Sequence, residues 1–458
     1  MPQPALEPFP QLLPLPADQP AYLALAKAVR QFAMDGTLAV GSRLPAERTL
    51  AAALGVSRTT VTAAYARLVD AGWATARQGS GTVVRLPQRD RVLARPAGPR
   101  EVIDLRPAAG VAVPAVSSLV EQALEWLPKV LASPGYENAG ALHLRERIAG
   151  WFEARGVPTV PGQIVVTPGA LAGLAVVLRT VAGTDAAVLV DDPTYPDALA
   201  AAEGAGVRVA SVPLGDGGWD TAGWAIALRR ERPAAAYLVP DFHNPTGQLM
   251  PDEARRELVA LLRRSRCTAI VDETVAGLDR DGGDPVTPWA ALDDTAITLG
   301  SLSKVLWGGI RIGWVRCPEA LVEQVRGHQL QLNLGPSALD QLVATSYLDD
   351  PGPVRDQLLA RMREAREAWL DDLDWNLPDW RVERPRGGLA LWVQLPAPRS
   401  AELVATAERH GVLLSPGTTF SVSGGQADRL RLPLTVAPGS ITEAVNRLAD
   451  AWQDLDRP

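Results

Sequence analysis

The sequence predicts a two-part chain: a small helix-rich head carrying a strand pair, then a large α/β domain. Three observations predict it. A length of 458 residues exceeds what one small core organises and calls for more than one domain. Charge is unevenly placed. Residues 1–100 hold twelve basic and six acidic side chains, so within a net charge of −7 the remainder carries −13. From Ile103 onward, short β-branched runs alternate with helical patterns.

Composition narrows the classes further. A hydrophobic fraction of 47% with 21% charged residues is that of a soluble globular protein. Cys267 and Cys317 cannot build a disulfide framework, so a reducing, cytoplasmic location is expected. His143, His243, His328 and His410 show no metal-ligand spacing, and no metal is expected. The N-terminus lacks a basic region followed by an apolar core. The apolar run Ala170–Leu178, stopped by Arg179, is far shorter than the roughly 18 residues a membrane span needs.

Residues 1–20 are proline-rich and aperiodic and are expected to form a mobile arm. From Tyr22, the residues Leu25, Val29 and Phe32 share a helical face, and Gly36 should end that helix. Leu44-Pro45-Ala46-Glu47-Arg48 opens a second helix reaching Leu54, with Pro45 expected near its first turn. Gly55-Val56-Ser57 makes a tight turn, and Ser57 caps a third helix from Arg58 to about Ala71. Trp73–Arg77 and Thr82–Leu86 read as two strands around Gly79-Ser80-Gly81. Two short helices joined by a glycine turn describe a helix-turn-helix with a wing. A basic head on an acidic body suits a polyanion. The candidate DNA-binding residues are Arg48, Ser57, Arg58, Thr59 and Thr60, with Gly79, Ser80 and Gly81 at the wing tip. The alternative is a helical domain whose arginines are merely solvated. Residues 87–102 are rich in charge, proline and glycine without periodicity and read as a linker. The expected division is therefore 1–86, 87–102 and 103–458.

In the large part, strands are expected at Ile164–Thr167, Ala187–Val190, Ala236–Val239, Ala269–Val271 and Ala296–Leu299. Each delivers polar residues at its C-terminal end, the edge where open α/β sheets bind ligands. Pro168-Gly169-Ala170 opens a helix whose free N–H groups make a phosphate seat. The chain has only three lysines, Lys27, Lys129 and Lys304. An amine does what a guanidinium cannot: it forms a Schiff base with an aldehyde. Lys304 follows Ser301 and Ser303 and precedes Arg311 by seven positions. That pattern fits a phosphorylated aldehyde, with Lys304 on the carbonyl carbon and the serines and Arg311 on the phosphate. The alternative is a surface lysine near a helix start.

Two resemblances follow. Residues 22–86 resemble a GntR-type winged helix, through Leu44-Pro45-x-Glu47-Arg48, Leu54-Gly55-Val56-Ser57-Arg58-Thr59-Thr60-Val61 and Gly79-Ser80-Gly81-Thr82. The order Gly169, Tyr195, Asn244, Asp272, Lys304, Arg311, Arg431 resembles class I aminotransferases of fold type I. That second resemblance implies pyridoxal 5′-phosphate as cofactor. It implies that Asp272 pairs with the pyridine nitrogen, Asn244 donates to the phenolic oxygen, and Tyr195 stacks on the ring. It places Ser301, Ser303, Arg311 and the amides of Gly169 and Ala170 on the phosphate, and Lys304 on the aldehyde. Tyr136 would reach the phosphate of a neighbouring subunit, implying a homodimer, and Arg431 would clamp an effector carboxylate. The family's tyrosine two or three residues after the aspartate is replaced here by Thr274 and Val275, which speaks against optimised turnover.

Winged helix, linker and aminotransferase-like domain in that order resemble the MocR/GabR subfamily of GntR-type bacterial regulators. The resemblance implies a transcription regulator that binds a double-stranded DNA operator and senses a small amine, an amino acid or pyridoxal 5′-phosphate itself. Two other readings stay open: an active aminotransferase with an accessory DNA-binding head, and a DNA binder with a vestigial domain.

Overall fold

The computed structural model describes residues 9, 20–34, 38, 42–70, 73–77, 81–85, 102–182 and 186–455. The chain divides into two compact units. One comprises Met1–Asp104, Gln394–Leu430 and Arg447–Pro458, the other Leu105–Val393 and Arg431–Asn446.

In the first unit, helices α1 (Ala21–Met34), α2 (Glu47–Leu54) and α3 (Arg58–Asp70) precede the antiparallel strands β1 (Ala74–Arg77) and β2 (Gly81–Val84). Leu25, Val29, Leu50, Leu54, Val61 and Leu68 bury a shared core, which Val84 of the hairpin joins. Gly55 ends α2 in the left-handed conformation, φ 64°, and its N–H returns to the Ala51 carbonyl. Ser57 Oγ then accepts from the Thr60 N–H at 3.0 Å, the expected cap of α3.

Two expectations are corrected. Pro45 lies outside α2, which begins at Glu47 after Ala46. The reason is a backbone tie: Leu44 N–H donates to Thr82 O at 2.8 Å and Arg43 bridges Val83, so this stretch runs extended along β2. For the mobile arm expected over residues 1–20 the correction is confined to Phe9, which is fully buried in the head core and edge-on to Phe32 at 6.0 Å; apart from Phe9 and Pro20 that stretch lies outside the described residues. The expected helix stop Gly36, the wing-tip residues Gly79 and Ser80, and all of the linker except Val102 lie outside the described residues. Also in this unit, Ile103–Asp104 pairs in parallel with Val412–Leu413.

The second unit is built on an eight-stranded sheet. Its strands are β3 (Ile164–Thr167), β4 (Ala187–Asp192), β5 (Arg208–Gly215), β6 (Gly218–Trp219), β7 (Ala235–Leu238), β8 (Thr268–Asp272), β9 (Ile297–Ser301) and β10 (Gly313–Arg316). Their spatial order is β3-β10-β9-β8-β7-β4-β5-β6. Strands β9, β8, β7, β4 and β5 run parallel, while β10 is antiparallel to both neighbours and β6 is antiparallel to β5. Strands β3, β4, β7, β9 and β10 are buried along their whole length, which is why they read as apolar runs without alternation. Leu189, Leu238, Val271, Leu258 and Trp289 belong to one buried cluster. Strands β3, β4, β7, β8 and β9 all point the same way, so their C-terminal ends share one edge.

A candidate cofactor site and a candidate nucleic-acid interface

At that edge the segment after β3 turns through Gly169 into helix α4 (Ala170–Val181). Gly169 has φ 89° and no side chain caps the helix start. A Cβ on Gly169 would stand 2.5 Å from Arg311 Nη2, so glycine is what lets the guanidinium lie against this turn. A Cβ on Gly313 would meet the Ala170 nitrogen at 2.5 Å, so β10 also packs bare backbone against it. Arg311 Nη1 donates to Ser303 Oγ at 3.2 Å and Nη2 to Pro168 O at 3.3 Å. Ser301 Oγ accepts from the Ser303 N–H at 3.1 Å. Gly169, Ala170, Ser301, Ser303 and Arg311 thus converge as an anion seat, combining helix amides, hydroxyls and a guanidinium.

Lys304 sits just beyond β9, and its Nζ donates to the Ala108 carbonyl at 3.1 Å. Asp272 ends the neighbouring strand β8 and is 6% exposed. Both of its oxygens are engaged: Oδ2 accepts from the Tyr237 hydroxyl at 2.7 Å and Oδ1 from the Thr274 N–H at 2.9 Å. Val275 is buried with a side chain that cannot donate, and Thr274 serves Asp272 through its backbone. On the far side, Arg431 Nη1 reaches Asn244 Oδ1 at 3.5 Å and Nη2 donates to the Arg106 carbonyl. With its oxygen facing Arg431, Asn244 keeps its amide N–H groups for another acceptor. Tyr195 caps the helix Pro196–Gly204, and its hydroxyl donates to Asp197 at 2.5 Å.

The donor types fit a phosphorylated, aldehyde-bearing aromatic ring: hydroxyls, helix amides and a guanidinium for the phosphate, a carboxylate at the end of β8 and an amine just beyond β9. Tyr136 is 70% exposed. Among the described residues no cluster of three or more His, Cys, Asp or Glu side chains could hold a metal, and no helix is long and apolar enough to cross a membrane. Cys267 and Cys317 are free and buried, their thiols pushed up to about 12 by desolvation.

Behind the edge lies a buried polar group that sequence reading passed over. Asp191 Oδ2 accepts from Trp219 Nε1 at 3.0 Å and lies 3.9 Å from His243 Nε2. Burial raises the Asp191 carboxyl to about 7 and lowers the His243 ring to about 3. His243 Nδ1 in turn meets Thr246 Oγ1 at 3.0 Å, inside the loop that presents Asn244. Tyr237 was also missed as a site residue. Its one available signal was a phenol in the middle of an apolar strand, which needs a hydrogen-bond partner when buried.

In the head, Arg48, Ser57, Arg58 and Thr59 are exposed and Thr60 is half-buried at the start of α3. Ser57 Oγ lies 2.7 Å from Thr59 Oγ1 and 2.8 Å from Thr60 Oγ1. Arg58 Nε pairs with Glu47 Oε2 at 3.1 Å, a contact absent from the sequence reading. Gly81, φ 85°, opens β2 with the Arg43 side chain alongside.

Residues 115–448 match the aminotransferase class I and II family, and residues 21–84 match the gntR family of bacterial regulatory proteins. A probable rhizopine catabolism regulatory protein, MocR, of Rhizobium meliloti is 26% identical over 96% of this chain and 95% of its own. A 2-aminoadipate transaminase of Thermus thermophilus is 30% identical over 81% of this chain and 93% of its own. The crystal structure of LysN, an alpha-aminoadipate aminotransferase of Thermus thermophilus complexed with N-(5′-phosphopyridoxyl)-L-leucine, superposes with a TM-score of 0.70. It is 27% identical and covers 77% of this chain and 92% of its own.

Proposed function

The chain belongs to the class I and II aminotransferases and opens with a gntR-family region, and from that premise we propose that it is a DNA-binding transcriptional regulator. Its pyridoxal 5′-phosphate domain senses a small amine, an amino acid or the cofactor itself. The observation that carries this reading is the presence, on one chain, of an exposed helix start bearing Arg58, Thr59 and Thr60 and of a sheet edge where Asp272 ends β8 and Lys304 follows β9.

Pyridoxal 5′-phosphate supplies an aldehyde that condenses with amines and a ring that withdraws electrons. The chain supplies the rest. Lys304 is the amine that would hold the cofactor. Ser301, Ser303, Arg311 and the Gly169 and Ala170 amides would hold its phosphate. Asp272 would serve its ring nitrogen, Asn244 its phenolic oxygen, and Tyr195 would cover the ring. Arg431 offers a guanidinium to a ligand carboxylate, which takes the place of the Arg106 carbonyl now on that guanidinium.

The working form is a homodimer. The second unit exposes Trp126, Leu131, Tyr136, Leu142, Trp307 and Leu334, each between 43% and 72% accessible. These side chains, with Tyr136 among them, are what a second copy would cover. Sedimentation of the cofactor-loaded protein as a monomer would remove this part of the reading.

A second reading has its own support: the transaminase relative shares most of its length with this chain. One assay separates the two. DNA affinity and keto-acid production are measured on the same preparation, with and without amino donors. The regulator reading expects DNA affinity that responds to cofactor or donor, with slow or single turnover. Rapid multiple turnover with DNA affinity indifferent to both would make the protein an enzyme.

A further inference from the structure

We infer that Tyr237 is a positioning residue that acts on the cofactor through Asp272, tempering how strongly the carboxylate holds the ring nitrogen. The inference rests on the cofactor reading above. Tyr237 lies on β7, opposite Ile270 of β8, and is 2% exposed. Its hydroxyl donates to Asp272 Oδ2 at 2.7 Å. A buried hydroxyl is costly unless it is bonded, and a phenylalanine would fill the same apolar space without that demand. The phenol is therefore there for its proton. Desolvation and the charge of Asp272 hold that hydroxyl well above its ordinary pKa, so it stays a donor.

The Thr274 N–H on Oδ1 supplies the second donor, so each oxygen of Asp272 accepts from a fixed protein group. Two consequences follow. The plane of the carboxylate is set by groups on two different segments, β7 and the turn after β8. And each donation draws charge from the carboxylate, leaving it a weaker partner for a protonated ring nitrogen. A ring held less firmly in its protonated form withdraws fewer electrons, and the Lys304 nitrogen joined to it is more basic. Val275, buried with an apolar side chain, adds no side-chain donor beside this path through Asp272.

The test is a pH titration of the visible absorption of the cofactor-loaded full-length protein. Tyr237→Phe removes the donor and keeps the ring, so the midpoint should fall by about half a pH unit, threefold in the proton equilibrium. Site-specific 3-fluorotyrosine at 237 is a stronger donor and should move the midpoint the other way. In an Asp272→Asn background both changes should be silent. A wild-type protein with no visible band would sink the cofactor reading itself. A normal band with an unmoved or rising midpoint in Tyr237→Phe overturns this inference alone. So does a shift that persists without Asp272. If Tyr237→Phe does not fold, the 3-fluorotyrosine arm decides by the same criteria.

Discussion

The two functional regions differ most in where they keep their charges. Among its described residues the head buries no charged side chain, and Arg48, Arg58 and Thr59 stand in solvent. The cofactor domain buries Asp191, Asp241, Arg255, Asp272, Glu273 and Arg431. A surface that meets a polyanion works by counterion release and leaves its cations hydrated until contact. A site that encloses a small molecule must desolvate each charge beforehand and give it a partner. Arg255 on Asp241 at 2.6 Å and Tyr237 on Asp272 are such partnerships. Substitutions should therefore act sharply in the large domain and gradually in the head.

The largest expected effect is at Lys304. Borohydride reduction of the loaded protein followed by peptide mapping should label Lys304, and Lys304→Ala should abolish the label. Label on Lys27 or Lys129 would break the contrast, because an exposed amine would then be doing buried work.

Next comes Asp191. Burial raises its pKa from 3.8 to about 7, so the folded state holds the proton more tightly than the unfolded one. The stability this contributes is complete below about pH 4 and is lost as pH rises through about 7. His243, held low by burial, contributes the opposite slope up to about pH 6.5, so the Asp191 part is read as a difference between wild type and Asp191→Asn. In chemical denaturation followed by the fluorescence of Trp219 and its neighbours, the stability of wild type relative to Asp191→Asn should fall from about pH 4 to about pH 7, by a few kcal/mol at most. A difference that does not change with pH would show that Asp191 is not buried as an acid.

Arg58→Ala should cost about 1–3 kcal/mol of DNA affinity in a salt titration if the side chain reads a base. Loss that is uniform across sequences, with a shallower salt slope, would reassign Arg58 to a phosphate. The smallest effect is expected for Glu47→Gln. An exposed ion pair contributes about 0–1 kcal/mol, so thermal melting of the head should barely move. Any change should appear instead in sequence discrimination, since Glu47 fixes the direction of Arg58.

The same contrast explains what could be read in the chain beforehand. The head was legible because its signals are local: the Gly55 turn, the Ser57 cap and the hairpin lie within thirty residues of one another. Its errors were long-range. Nothing beside Pro45 announces that Leu44 will pair with Thr82, and nothing beside Phe9 announces Phe32. In the large domain the five expected strands came out, Ile164–Thr167 at both ends and the others within one or two residues, because runs buried on both faces are apolar throughout and chemistry concentrates where they stop. Tyr237 was hidden by the same rule: inside such a run an aromatic residue reads as core, and its partner Asp272 is on the next strand. The Arg106 and Ala108 carbonyls were beyond reach altogether, since every residue has one.

Those two carbonyls change how ligand affinity should be understood. Arg431 and Lys304, the two cations a ligand would need, both rest on one stretch of backbone. A ligand carboxylate that engages Arg431 exchanges one acceptor for another, so only its advantage over the Arg106 carbonyl counts toward binding. Alanine scanning across residues 106–108 would not uncover this, because truncating a side chain leaves the carbonyl in place.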